Sequence, residues 1–169
     1  MTGAVLALGV AAAGLLMLAA VHDAATRTVP NWLSAVLAVV GIALRFLDGQ
    51  ALTGLAAAGL ILCGCLLAWL GGWLGGGDAK LAAAVALVSP PSQVAAFVLA
   101  TALAGGALAL LYIVLHRVVP PPAPGRRRGM LPRCLKAEAW RISRGGPLPY
   151  AVAIAVGGFY VLQPPFGIG

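Results

Sequence analysis

Acidic side chains are nearly missing from this sequence. Its 169 residues contain four of them, Asp23, Asp48, Asp78 and Glu138. Charged residues of both signs amount to 9%, where a soluble domain carries about a quarter. That shortage excludes an ordinary water-soluble globule. Cysteine is scarce as well: Cys63 and Cys65 sit inside an apolar run, and Cys134 stands far away. No CxxC pair occurs, so a zinc module is not expected and the thiols read as free. No basic stretch precedes the first apolar run, so a cleaved signal peptide is not expected either. No polar stretch is long enough for a soluble domain.

What fills the chain is hydrocarbon. Hydrophobic residues make up 62%, and the mean hydropathy is +1.01. Six apolar runs, at 5–21, 32–47, 52–70, 79–88, 94–115 and 150–162, are separated by polar or Gly/Pro-rich turns. They predict an all-α polytopic membrane protein with about six transmembrane helices, forming a single membrane-embedded domain over 1–169. Trp32 fits an interfacial aromatic belt, and Arg45 is placed to snorkel outward. The stretch at about 116–149 reads as a basic loop, with Pro120–Pro122, Pro124 and Arg126–Arg128.

Charge counting sets the expected topology. With six spans, one side of the membrane receives Arg27, Lys80, Arg117, Arg126, Arg127, Arg128, Arg133, Lys136, Arg141 and Arg144. That is ten of the eleven basic residues, and the other side receives Arg45. The rich side is cytoplasmic by the positive-inside rule, so both termini lie outside. Asp23 and Asp78 then fall on the same, cytoplasmic side. The net charge of +7 reads as a loop touching anionic lipid. No aromatic interleaving accompanies it, so no nucleic-acid partner is expected.

The run 79–88 is too short to cross. Ten residues cover about 15 Å, against ~30 Å of hydrocarbon. Either its helix begins further back, among the glycines Gly71, Gly72, Gly75, Gly76 and Gly77, or Asp78 is sunk beside a cavity. A carboxylate at that depth is a functional hypothesis by default. Elimination pairs it with Asp23, because Asp48 lies on the opposite side and Glu138 among cations. Two carboxylates can share the acid and base roles of peptide hydrolysis. The same pair would suit a proton-coupled carrier.

Structural roles compete with these. Asp78 can N-cap a helix starting at Ala79. Asp23 stands near a helix C-terminus, where negative charge is unfavourable, and Arg27 at i+4 is its natural partner. Lys80 reads as an interfacial anchor or as a neighbour of Asp78. Gly71/Gly75 and Gly72/Gly76 have GxxxG spacing. Gly77 is expected in a bent backbone where a substrate strand approaches, and Gly71 in helix packing alone. The Gly-rich run lacks the Gly-Lys-Ser/Thr ending of a P-loop, so no nucleotide or other cofactor is expected.

Gly75-Gly76-Gly77-Asp78-Ala79-Lys80-Leu81 resembles the GxGDxKL signature of type IV prepilin peptidases, which are GxGD-type intramembrane aspartyl proteases. Asp23 followed by Arg27-Thr28-Val29-Pro30-Asn31-Trp32-Leu33 is similar to their first motif. Pro149-Tyr150-Ala151-Val152-Ala153-Ile154 is similar to their C-terminal segment, with Ala151 where glycine is usual. The resemblance implies Asp23 and Asp78 as catalytic pair, with Gly75, Gly77, Lys80, Arg27, Pro30 and Asn31 as supporting motif residues and no metal. It implies a bacterial inner-membrane enzyme that cuts prepilin or pseudopilin precursors at the cytoplasmic face, after a short leader ending in glycine. Larger members add a cysteine tetrad and a methyltransferase activity. Three cysteines do not make that tetrad, so the chain resembles the small peptidase-only class serving tight-adherence (Flp) pili. A proton-coupled carrier and a scaffold of a pilus export machine remain the alternatives, with membrane lipids as surroundings in every case.

Overall fold

The computed structural model describes residues 2–118, 130–144, 146 and 148–162. Among these, all regular structure is helical. Helix α1 is Thr2–Thr26, α2 Asn31–Leu47, α3 Ala51–Leu70 and α4 Gly76–Val88. A 3-10 turn, Pro91–Gln93, leads into α5, Val94–Val118; α6 is Met130–Ser143 and α7 is Tyr150–Leu162. Each of the six apolar runs is a helix. Three segments, Gly3–Thr26, Ala51–Leu70 and Pro91–Val118, are long and apolar enough to cross a membrane. Helices α2 and α7 are shorter apolar ones. The protein is an all-α polytopic membrane protein.

One helix end differs from the sequence expectation and another decides an alternative it left open, and both matter. Helix α1 does not stop at Asp23. Ala24 and Ala25 are strong helix formers, and the Arg27 N–H donates to the Asp23 carbonyl (2.7 Å) to close one more turn. Helix α4 starts at Gly76, inside the glycine run. It still measures only about 20 Å for its 13 residues, short of the ~30 Å hydrocarbon core. Within the expected basic loop, residues 130–143 are helical; Pro120–Pro124 and Arg126–Arg128 lie outside the described residues.

The molecule is packed inside-out relative to a soluble protein. Large apolar side chains such as Leu52 and Leu60 are 83% and 75% exposed, facing where lipid would be. Much of the interior is small: Ala12, Ala19, Ala82, Ala86, Ala151 and Ala155 are all buried. Lipid tails are as apolar as leucine, so helices gain by close backbone approach rather than by hiding bulk. Helix α4 packs against α2, α3 and α7, and α7 packs against α1, α4 and α5. The two 13-residue helices α4 and α7 therefore form the centre, and the longer ones surround them.

Glycine permits the tightest of these contacts. A Cβ at Gly41 of α2 would lie 2.9 Å from the Val88 nitrogen of α4. A Cβ at Gly157 of α7 would lie 2.9 Å from the Phe97 carbonyl and 3.0 Å from the Thr101 nitrogen of α5. The GxxxG reading of Gly71 and Gly72 fails for a geometric reason. Both residues lie in the turn after α3, with Gly72 at φ +74°, and present no helix face.

Arg45 does not snorkel. It is 5% exposed, with its stem against Gly54. Its guanidinium pairs with Asp48 (2.8 Å) and donates to the Val88 carbonyl (3.3 Å). The last carbonyls of α4 lack intrahelical partners, and Arg45 supplies one donor to them.

The packing makes a direct prediction. Gly157→Ala should destabilise the protein by about 1–3 kcal/mol, since the methyl meets the Thr101 hydroxyl and, beside it, the backbone of Phe97 and Thr101, which cannot move aside. Gly106→Ala, with open space around it, should be neutral. Thermal unfolding in detergent measures both, and the Thr101→Ala background should leave most of the Gly157→Ala defect in place.

Candidate active site

The α1–α2 junction, the α3–α4 turn and the start of α7 meet at one end of the bundle. Asp78 is the third residue of α4. It is not the N-cap; Gly75 is, in extended conformation at φ −72° and ψ 142°. The Asp78 carboxylate turns back toward the Gly75 N–H, the direction taken by the third helical residue in a capping box. A Cβ at Gly75 would sit 2.8 Å from Asp78 Oδ2, so glycine is what leaves room for that reach. The positive end of the α4 dipole favours a carboxylate there.

Asp23 is buried, 5% exposed, in the last turn of α1. Its own helix end disfavours it. The compensation comes from elsewhere: Asp23 Oδ2 accepts the Ala151 N–H (3.1 Å) in the first turn of α7. Both candidate carboxylates thus sit on helix N-termini, one on its own helix and one on a neighbour. They lie close enough for the charge of one to act on the other.

The remaining motif residues hold this convergence. A Cβ at Gly77 would lie 3.2 Å from Val29 Cβ and 3.3 Å from the Val29 carbonyl. Gly77 is therefore helical and packs the first turn of α4 onto the α1–α2 linker; it has no positive φ and no bent backbone. Gly71, expected in helix packing, caps α3 instead. Pro30 precedes α2 in extended conformation. Lys80 does not face Asp78: its Nζ donates to Asn31 Oδ1 (3.0 Å) and ties α4 to the start of α2.

Arg27 does not pair with Asp23. Its guanidinium donates to Tyr112 Oη (2.9 Å) and to Glu138. Its backbone takes φ +60°, the left-handed conformation that ends α1. Glu138 also accepts from Tyr112 and from Arg141 (3.3 Å). Arg141 donates in turn to the carbonyls of Ala24 (3.4 Å) and Ala25 (3.1 Å), the two residues after Asp23. Helix α6 thereby clasps the end of α1 that carries Asp23.

Sequence reasoning did not single out Tyr112 or Arg141, and it dismissed Glu138 as one acid among cations. The i, i+3 spacing of Glu138 and Arg141 was a usable signal. Tyr112, inside an apolar run, offered none.

A cavity of about 430 Å³ runs between α3, α4, α5 and α7, lined by Cys65, Trp73, Phe97 and Tyr150 among others. The charge of Asp78 acts on both Cys65 and Tyr150, so this apolar crevice lies within reach of that charge. Among the described residues, no three His, Cys, Asp or Glu side chains gather as a metal ion would require.

The family comparison fits this geometry. The model of the type IV leader peptidase family matches residues 10–110, more than half the chain, including both aspartates. The chain belongs to the type IV leader peptidase family. No individual curated protein and no solved structure matches it. As a member of this family it is a membrane peptidase, and helices α6 and α7, which contact the candidate site, lie outside the matched segment.

The Glu138 clasp carries a pH dependence. Burial pushes the Glu138 carboxyl up, but hydrogen bonds from Tyr112 and Arg27, the Arg27 charge and the Arg141 hydrogen bond outweigh it. The net result lies below the usual carboxylate range. A depressed carboxyl stabilises the fold above its ordinary pKa and loses that contribution as pH falls through the folded-state value. Amide-exchange protection of α6 in the wild type should therefore fall on acidification. In Glu138→Gln it should be low already at pH 7 and change little towards acid. A wild-type profile that stays flat would remove the clasp from the account.

Proposed function

We propose that the chain is an intramembrane aspartic endopeptidase that removes the leader of pilin or pilin-like precursors, with Asp23 and Asp78 as the catalytic pair. The observation that carries this reading is the convergence of two half-buried-to-buried carboxylates on two helix N-termini at one end of the bundle. No other two acidic residues of the chain share a site: Asp48 is paired with Arg45, and Glu138 with Arg27 and Arg141.

The chemistry follows from the pair. One carboxylate takes a proton from water as the water oxygen attacks the scissile carbonyl. The other, protonated, donates to the carbonyl oxygen. Collapse of the tetrahedral intermediate returns a hydroxyl proton to the second carboxylate and expels the amine, which leaves with a proton from the first carboxyl. Two neighbouring carboxyls hold a single shared proton readily, since ionising both costs mutual repulsion. The Ala151 N–H keeps one oxygen of Asp23 oriented, and the Gly75 N–H lies toward Asp78. The crevice lined by Phe97 and Tyr150 gives an apolar precursor segment a route to the pair from the lipid side.

The positive-inside count supports a cytoplasmic location for this end of the bundle, in a bacterial inner membrane, with both termini outside. Within this sequence three cysteines match a peptidase-only member serving Flp-type pili better than one with a cysteine tetrad.

Asp23→Asn and Asp78→Asn should each reduce precursor cleavage by purified, reconstituted protein by at least 10²-fold, since one carboxylate cannot fill both proton roles. Cleavage by wild type without any ion gradient separates a peptidase from a carrier. Processing by either variant at the wild-type rate would overturn the assignment. Orientation is tested separately, in a background lacking native cysteines. A cysteine at Gln50 should label from outside, and one at Arg127, beyond the described residues, from the cytoplasm.

A further inference from the structure

Among the described residues, Lys80 has no anionic partner. The chain has four acidic side chains, and every one is engaged elsewhere. Asp23 accepts from Ala151, Asp78 is turned to the Gly75 N–H on another face of α4, Asp48 pairs with Arg45, and Glu138 with Arg27 and Arg141. The exposed Lys80 ammonium donates to the neutral Asn31 amide. No side-chain carboxylate of the chain is left to neutralise it.

Lys80 and Asn31 stand at the head of an open trough of about 440 Å³ between α2, α3 and α4. Below them its walls are apolar or small, with Ala38, Leu55, Gly59 and Leu87. From Lys80 to Leu87 the trough runs about 10 Å at 1.5 Å per residue, the length of the upper half of an acyl chain. Ser34, one turn deeper than Asn31, also lines it, and its buried hydroxyl has no partner among the described residues. A cation at the head, a lone hydroxyl one turn down and an apolar trough beyond repeat the order of phosphate, ester carbonyl and tail in a glycerophospholipid.

We propose that this trough binds one anionic phospholipid, with its phosphate on Lys80 and Asn31 and one acyl chain along Leu55 and Gly59. The substrate route lies elsewhere. Lys80 follows Asp78 by two residues, about 200° around α4, so the trough and the carboxylates lie on different faces of that helix. The proposal stands on the membrane fold and the charge accounting, independently of the protease reading.

Native mass spectrometry of the detergent-purified protein tests it, with dioleoylphosphatidylglycerol and dioleoylphosphatidylcholine as probes. Wild type should retain one phosphatidylglycerol more tightly than phosphatidylcholine. Lys80→Met should weaken phosphatidylglycerol about fivefold, the scale of one basic residue at a lipid surface, with phosphatidylcholine unchanged. Lys80→Arg should keep the preference. Gly59→Phe, where a side chain meets open space, should fill the trough and lower retention of both lipids. Equal retention of the two lipids by wild type, or an unchanged preference in Lys80→Met, would overturn the proposal. Displacement of the bound lipid by a pilin precursor would assign the trough to a peptide and overturn it as well.

Discussion

A carboxylate buried among apolar helices must be met by hydrogen-bond donors, and this structure turns two of them to helix N-termini. That constraint shapes the rest. The first-turn N–H groups of a helix are free and point at one spot. To place them at depth, a helix must begin below the headgroups, which requires it to be short. Helices α4 and α7 are the short ones, 13 residues each, and they are the ones that start beside Asp78 and Asp23. Their shortness is the condition for burying the pair.

Short central helices need support from their neighbours. The bundle provides it through small residues and close backbone approach, as at Gly41 against Val88 and Gly157 against Phe97. Arg45 serves the far end of α4 by donating to its last turn. At the near end, Gly77 lies on Val29 and Lys80 on Asn31, so α4 is fixed to the α1–α2 linker at two points. The spacing between the two aspartates is thus set by packing of glycine and by one amine–amide contact, away from the carboxylates themselves.

Helix α6 adds a second layer of control over Asp23. Through Glu138 it holds Arg27 in the conformation that ends α1, and through Arg141 it engages the carbonyls of Ala24 and Ala25. The geometry around Asp23 therefore depends on a polar cluster distant in sequence. Movement of α6 would be felt first at the end of α1.

Much was legible in the residues alone. Hydropathy determined the six apolar helices, because a chain this poor in charge has no stable place except lipid; it did not show α6, which lies in the stretch read as a basic loop. Scarcity of acids and the two motifs singled out Asp23 and Asp78. Local pattern could not say where α4 begins, since glycine is a poor helix former and only contact with Val29 and the reach of Asp78 to Gly75 draw Gly76 and Gly77 into the helix. Nor could it find the partner of Asp23: nearest-neighbour reasoning offered Arg27, while folding delivered the Ala151 N–H from 128 residues away. Composition and spacing act along the chain and determined the helices and the acids. The donors that hold those acids come from other helices, and only the tertiary structure decided which.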